Sequence, residues 1–103
     1  MDDQTKQRIE QDIKGNKVML YMKGTPEAPM CGFSAQAVGM LKQHKTPFKT
    51  FNILEDEAIR AGVKEYGDWP TFPQLYVNGE LVGGCDIMTE LNDSGELEKI
   101  LKG

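Results

Sequence analysis

Cys31 is the residue whose type and setting most favour chemistry. It lies in the stretch Lys23-Gly24-Thr25-Pro26-Glu27-Ala28-Pro29-Met30-Cys31-Gly32-Phe33-Ser34, between an apolar run (Val18 to Met22) and a helical pattern (Ala35 to Lys42). A cysteine at a strand-to-helix junction faces unpaired backbone N–H groups and the positive end of the helix dipole. Both favour thiolate over thiol, and Lys23 adds positive charge upstream. A buried, inert thiol is the commoner fate of a lone cysteine; Gly32 and the two prolines argue for exposure here. Ser34 stands where a thioredoxin-like redox pair carries its second cysteine. A hydroxyl cannot resolve a mixed disulfide, so Cys31 either exchanges with an external thiol or acts as a metal ligand.

The other candidates are weaker one at a time. Cys85, the second of two cysteines, opens a helical segment, which suits a structural or ligand-contacting role better than pairing with Cys31. Backbone N–H groups at Cys85 and Asp86 make a seat for a carboxylate; against that, Asp86 is equally well read as an ordinary acid at a helix start. Trp69-Pro70-Thr71-Phe72-Pro73 carries two X-Pro bonds just before a strand. A cis bond at Pro73 would leave the backbone of Phe72 free to pair with an extended peptide, although a single X-Pro bond is usually trans. Lys23 and Arg60, taken separately, read as solvated surface. His44 has no partner at ligand spacing, and the tyrosines and methionines read as packing.

The elements that must position these residues are legible from periodicity. Thr5 to Lys14 reads as a helix with one thin apolar stripe, Ile9 and Ile13, ended by Gly15-Asn16. Lys17 to Met22 reads as a strand buried on both faces. Pro26 and Pro29 forbid a helix before Cys31, and His44 to Pro47 breaks the one that follows. Phe48 to Ile53 suits a strand, and Glu55 to Glu65 a helix with Ile59 and Val63 on one face. Gln74 to Val77, Asn78-Gly79 and Glu80 to Gly83 form a strong hairpin signal, since both turn residues tolerate positive φ. Helical patterns from Cys85 and around Leu97, Ile100 and Leu101 close the chain. The order predicts an α/β fold, a four-stranded mixed sheet with helices on both faces.

The chain has 103 residues, enough for one core, and the expectation is one domain over 1–103. Twelve Lys and Arg against 16 Asp and Glu leave a net charge of −4, which argues against a general nucleic-acid binder. No stretch approaches the ~20 apolar residues of a membrane span. The acidic start, Met1-Asp2-Asp3-Gln4, is neither a secretory signal nor a basic transit peptide. Two cysteines suit a reducing compartment, so the expected location is cytoplasmic, with a mitochondrial or plastid matrix open if a transit peptide was removed.

These residues converge on a family. Lys23 to Ser34, with its Cys31-Gly32-Phe33-Ser34 core, resembles the active-site loop of the monothiol glutaredoxins. Trp69 to Leu75 and Gly83-Gly84-Cys85-Asp86 resemble that family's second and third blocks, in the same order and spacing over residues 17 to 101. The resemblance implies the thioredoxin fold. It implies that Cys31 is the glutathione-reactive and cluster-ligating sulfur, and that Lys23 and Arg60 hold the glycyl carboxylate of glutathione. Phe72, before a cis Pro73, would pair its backbone with the tripeptide, and Cys85 and Asp86 would bind the γ-glutamyl end. Two chains and two glutathiones would supply four thiolates to one 2Fe–2S cluster. The implied partners are a second copy of the chain, a BolA-type protein and apo iron–sulfur proteins that receive the cluster. Two alternatives stay open: a glutathione-dependent thiol–disulfide oxidoreductase that removes glutathione from proteins, and a regulatory adaptor that senses the cluster. The long proline-containing loop weighs against the first, because in this family it accompanies weak reductase activity.

Overall fold

A computed structural model describes all residues 1–103. Its elements run α1 (Asp3–Gly15), β1 (Val18–Met22), α2 (Gly32–Gln43), β2 (Lys49–Asn52), α3 (Glu57–Gly67), β3 (Gln74–Val77), β4 (Glu80–Gly83), α4 (Cys85–Ser94) and α5 (Glu96–Lys102). The sheet order is β2-β1-β3-β4. Strand β1 pairs in parallel with β2 and antiparallel with β3, and β3 pairs antiparallel with β4. The expected four-stranded mixed sheet with helices on both faces is the fold observed.

Central position explains the unbroken apolar run of β1. Val18, Leu20 and Met22 point to one face, where they meet Ala37, Val38 and Leu41 of α2, Met88 of α4, and Leu97 and Leu101 of α5. Met19 and Tyr21 point to the other, against Ile9 and Ile13 of α1 and Ile59 and Val63 of α3. Side chains alternate with period two along a strand, so a strand covered on both sides must be apolar throughout. Each fully buried aliphatic side chain contributes about 1.5–3 kcal/mol.

Local signals set the ends. Asp2 accepts a hydrogen bond from the Thr5 N–H at 2.8 Å and Asp56 one from the Ile59 N–H at 3.1 Å, capping α1 and α3. Asn78 and Gly79 have φ of 53° and 83°, the positive pair a tight hairpin turn needs. Helix α3 ends on Asp68 in the left-handed region.

Three details differ from the sequence reading. Helix α2 begins at Gly32, not Ala35, which makes Cys31 its N-cap residue. Strand β2 stops at Asn52, and Ile53–Glu55 forms a 3-10 turn, because Asn52 Oδ1 accepts the Leu54 N–H at 3.0 Å. The methionines are not all packing: Met30 is 70 % exposed, since it lies at the closing end of the loop before α2 with no layer above it. The Phe72-Pro73 bond is cis, as the family resemblance implies.

Candidate functional site

The site begins with how the loop after β1 is held. Gly24 has φ +89°, and a Cβ there would lie 2.6 Å from both Ala28 O and Met30 N. Only glycine fits that close approach. The loop then closes on itself: the Met30 N–H donates to Lys23 O at 2.9 Å, and Gly24 bridges to Pro29. This fold-back delivers Cys31 to the start of α2 beside the residue that left the strand.

Cys31 is partly exposed and its thiol is free. The Ser34 N–H, in the first turn of α2, lowers its pKa most; the Phe33 N–H and the Lys23 charge add to this, and partial burial opposes it. A helix start with unpaired N–H groups favours the thiolate in this way. Ser34 itself is fully buried, and its Oγ accepts the backbone N–H of Lys23 at 3.1 Å.

A groove of about 480 Å³ runs from Cys31 across the sheet end. Lys23, Cys31, Arg60, Phe72, Pro73, Cys85 and Asp86 all line it. The seven residues singled out from sequence therefore meet on one surface, although they come from five separate stretches of chain. Lys23 and Arg60, each unremarkable alone, put two cations on the groove. The Arg60 Nη1 lies 3.6 Å from the exposed Glu57 carboxylate, while its buried Nε has no partner.

The opposite wall is the N-terminus of α4. Gly84 caps it with no side chain to accept from the first-turn N–H groups, which leaves them for a ligand. The fit is close here too: a Cβ on Gly84 would sit 3.3 Å from Pro73 O and 3.3 Å from the Trp69 Nε1, so one of them would have to give by a few tenths of an ångström. Cys85 is buried, and its thiol donates to Gln36 Oε1 at 3.2 Å. Burial pushes its pKa up, against a smaller lowering by the Thr89 hydroxyl, and the charges of Asp86 and Cys31 add to the rise. The two sulfurs thus have opposite characters: one an anion at neutral pH more readily than a free thiol, the other less.

Phe72 lies between these walls, buried just before β3. Its backbone takes part in none of the turn, loop or cap hydrogen bonds. Sequence reasoning missed Phe33, Lys64 and Thr71, which also line the groove. Lys64 follows Arg60 by four residues on α3, so both share one helix face, and its Nζ stands 6.0 Å from the centre of the Phe72 ring. That spacing was the available signal. The only histidine is elsewhere, its Nε2 2.7 Å from Asn92 Oδ1 between α2 and α4. No three potential metal ligands cluster anywhere in the chain, and no helix is long and apolar enough to cross a membrane.

Comparison with known proteins bears out the family resemblance. The Glutaredoxin family model matches residues 18–82. A probable monothiol glutaredoxin 2 of Rickettsia felis is 58% identical over 95 residues, 92% of this chain and 91% of that protein. The solution structure of reduced poplar apo GrxS14 superposes with a TM-score of 0.84 at 49% identity, covering 94% of this chain and 89% of that one. The crystal structure of a buckwheat glutaredoxin–glutathione complex shares the fold, with a TM-score of 0.86 at 22% identity over 99% of this chain and 94% of that one.

Proposed function

The chain belongs to the glutaredoxin family, as a monothiol member, and from that premise we propose that it is a glutathione-dependent carrier of 2Fe–2S clusters. The observation that carries the reading is one groove lined by two cations and a free helix start, with one partly exposed, anion-favouring sulfur within it. A 2Fe–2S cluster takes four thiolates. No group of three metal ligands exists within one chain, so the cargo must be shared. Cys31 from each of two chains and the thiols of two glutathiones supply the required set.

In this reading each wall of the groove has one task. Lys23 and Arg60 hold the glycyl carboxylate, a charge-assisted contact suited to the unpartnered Arg60 Nε. The free backbone of Phe72, fixed ahead of Pro73, pairs with the extended tripeptide. The first turn of α4, at Cys85 and Asp86, takes the γ-glutamyl end through its N–H groups. These contacts bring the glutathione sulfur next to Cys31. The protein then orients two thiolates and shields them, and transfer goes to apo iron–sulfur proteins, with a BolA-type protein as a second partner. Residues 1–103 act as one domain, and a reducing compartment, cytoplasm or organelle matrix, suits the free thiols.

A second reading has specific support: the lowered pKa of Cys31 is also what a thiol needs to attack a glutathione mixed disulfide. Anaerobic reconstitution with iron, sulfide and glutathione, followed by visible absorption and sedimentation, separates the two. The expected product is a coloured dimer that becomes a colourless monomer without glutathione or in Cys31→Ser. A cluster that survives Cys31→Ser would sink the carrier assignment. Fast turnover of a glutathionylated protein without cluster binding would favour the oxidoreductase.

A further inference from the structure

Two side chains outside the groove hold the backbone of Lys23. Its N–H donates to the Oγ of fully buried Ser34 at 3.1 Å, and the next N–H, of Gly24, donates to Asn52 Oδ1 at 2.9 Å. Its carbonyl accepts the Met30 N–H at 2.9 Å. Three consecutive backbone groups are therefore fixed, from α2, from the end of β2 and from the loop. Asn52 Oδ1 accepts a second N–H, that of Leu54, at 3.0 Å, so its amide is itself held in one orientation.

Such a clamp answers a specific difficulty. The lysine ammonium sits on a flexible four-carbon stem and makes no rigid fork. Lys23 has no ion pair with an acidic side chain in the fold, so nothing at its tip aims it. It can be directed only from its Cα. We propose that Ser34 and Asn52 are positioning residues, which by gripping the consecutive N–H groups of Lys23 and Gly24 fix the Lys23 ammonium at the carboxylate end of the groove. The serine thus has a purpose beyond lacking a thiol: its hydroxyl is an acceptor that ties the turn carrying Cys31 to the residue carrying the cation. This inference rests on the tripeptide reading of the groove.

A double-mutant cycle tests it, with glutathione binding measured by calorimetry on the full chain. Ser34→Ala and Asn52→Ala should each weaken binding by roughly tenfold, no more than the Lys23→Ala loss, as expected for a misplaced charge-assisted contact. In a Lys23→Ala background the same changes should weaken it by less than about twofold, because coupled residues are not additive. Glutathione esterified at its glycyl carboxylate should bind the single variants and the parent alike. Equal losses with and without Lys23 would overturn the clamp, as would undiminished affinity in both single variants. If Ser34→Ala does not fold, the Asn52→Ala arm decides the outcome alone. Failure of the parent chain to bind glutathione would overturn the tripeptide reading, and the clamp with it; that result is separable because it appears before any substitution.

Discussion

The thiol of Cys85, in the first turn of α4, donates to the Oε1 of Gln36 on α2 at 3.2 Å. This bond crosses between the two helices whose N-termini face the same groove. It turns Cys85 toward protein, where burial raises its thiol pKa, while Cys31 is partly exposed.

The two sulfurs should therefore separate chemically. With limiting iodoacetamide at neutral pH, mass spectrometry should find Cys31 alkylated and Cys85 largely spared. The Cys31 rate should reach its half-maximum at a lower pH than that of an unperturbed cysteine, since its thiol pKa is lowered and the thiolate is the nucleophile. Comparable labelling of both sites would refute the assigned characters.

Cys85→Ser should keep much of any reconstituted cluster, because a serine hydroxyl can still donate to Gln36 and, in the proposed reading, Cys85 meets the tripeptide through its backbone and is not a cluster ligand. Complete loss of colour would make Cys85 a ligand in its own right.

Removing the Lys23 ammonium by Lys23→Ala should weaken glutathione binding by about 1.5–3 kcal/mol, the range for a hydrogen bond to a charged group. That corresponds to roughly a 10- to 150-fold rise in the dissociation constant. Calorimetry in parallel with a melting curve would show whether affinity falls without loss of the fold.

Gly24→Ala should be costly out of proportion to one methyl group. The new Cβ would stand 2.6 Å from Ala28 O and Met30 N at φ +89°, so the loop must open or the backbone strain. A loss of about 1–3 kcal/mol in urea unfolding is expected, together with weaker glutathione binding as Lys23 and Cys31 move apart. An unchanged midpoint would mean that the loop is not tightly closed in solution.

Stability should fall at alkaline pH for an identifiable reason. Burial pushes the Tyr76 phenol up to about 12 and the Tyr21 phenol further. Unfolded phenols titrate near pH ~10, so above that value the unfolded chain releases protons that the folded chain retains. The stability these groups contribute is fully present below pH ~10 and is lost as pH rises toward the folded values. Circular dichroism and phenolate absorbance should change together; phenolate signal from all three tyrosines before unfolding would contradict the burial assignment.

Much of this protein is legible in its residues. The unbroken apolar run of β1, the Asn78-Gly79 turn and the stripes Ile9/Ile13 and Ile59/Val63 each reflect local periodicity, which period-two strands and 3.6-residue helices impose directly. The chemistry of Cys31 was equally readable, because a helix start and a nearby lysine are near it in sequence. Other features were not. Lys64, Phe33 and Thr71 join the groove only because α3 and the segment before β3 meet the start of α2. Met30 looked like core and is exposed, since apolar character does not reveal whether another layer covers a loop.

Sequence alone determined the elements, the one sulfur set between a strand and a helix start after a lysine, and the types of group able to bind an anionic ligand. Tertiary structure decided their convergence. The β2-β1-β3-β4 order carries Lys23, Arg60, Phe72 and Asp86 to one end of the sheet. Residues 37 positions apart, such as Lys23 and Arg60, share no local signal, and only long-range packing of α2, α3 and α4 around the sheet brings their charges to one groove. The distinction between the two cysteines also arose there. Both open helices, but burial raises one thiol and exposure to a helix N-terminus lowers the other.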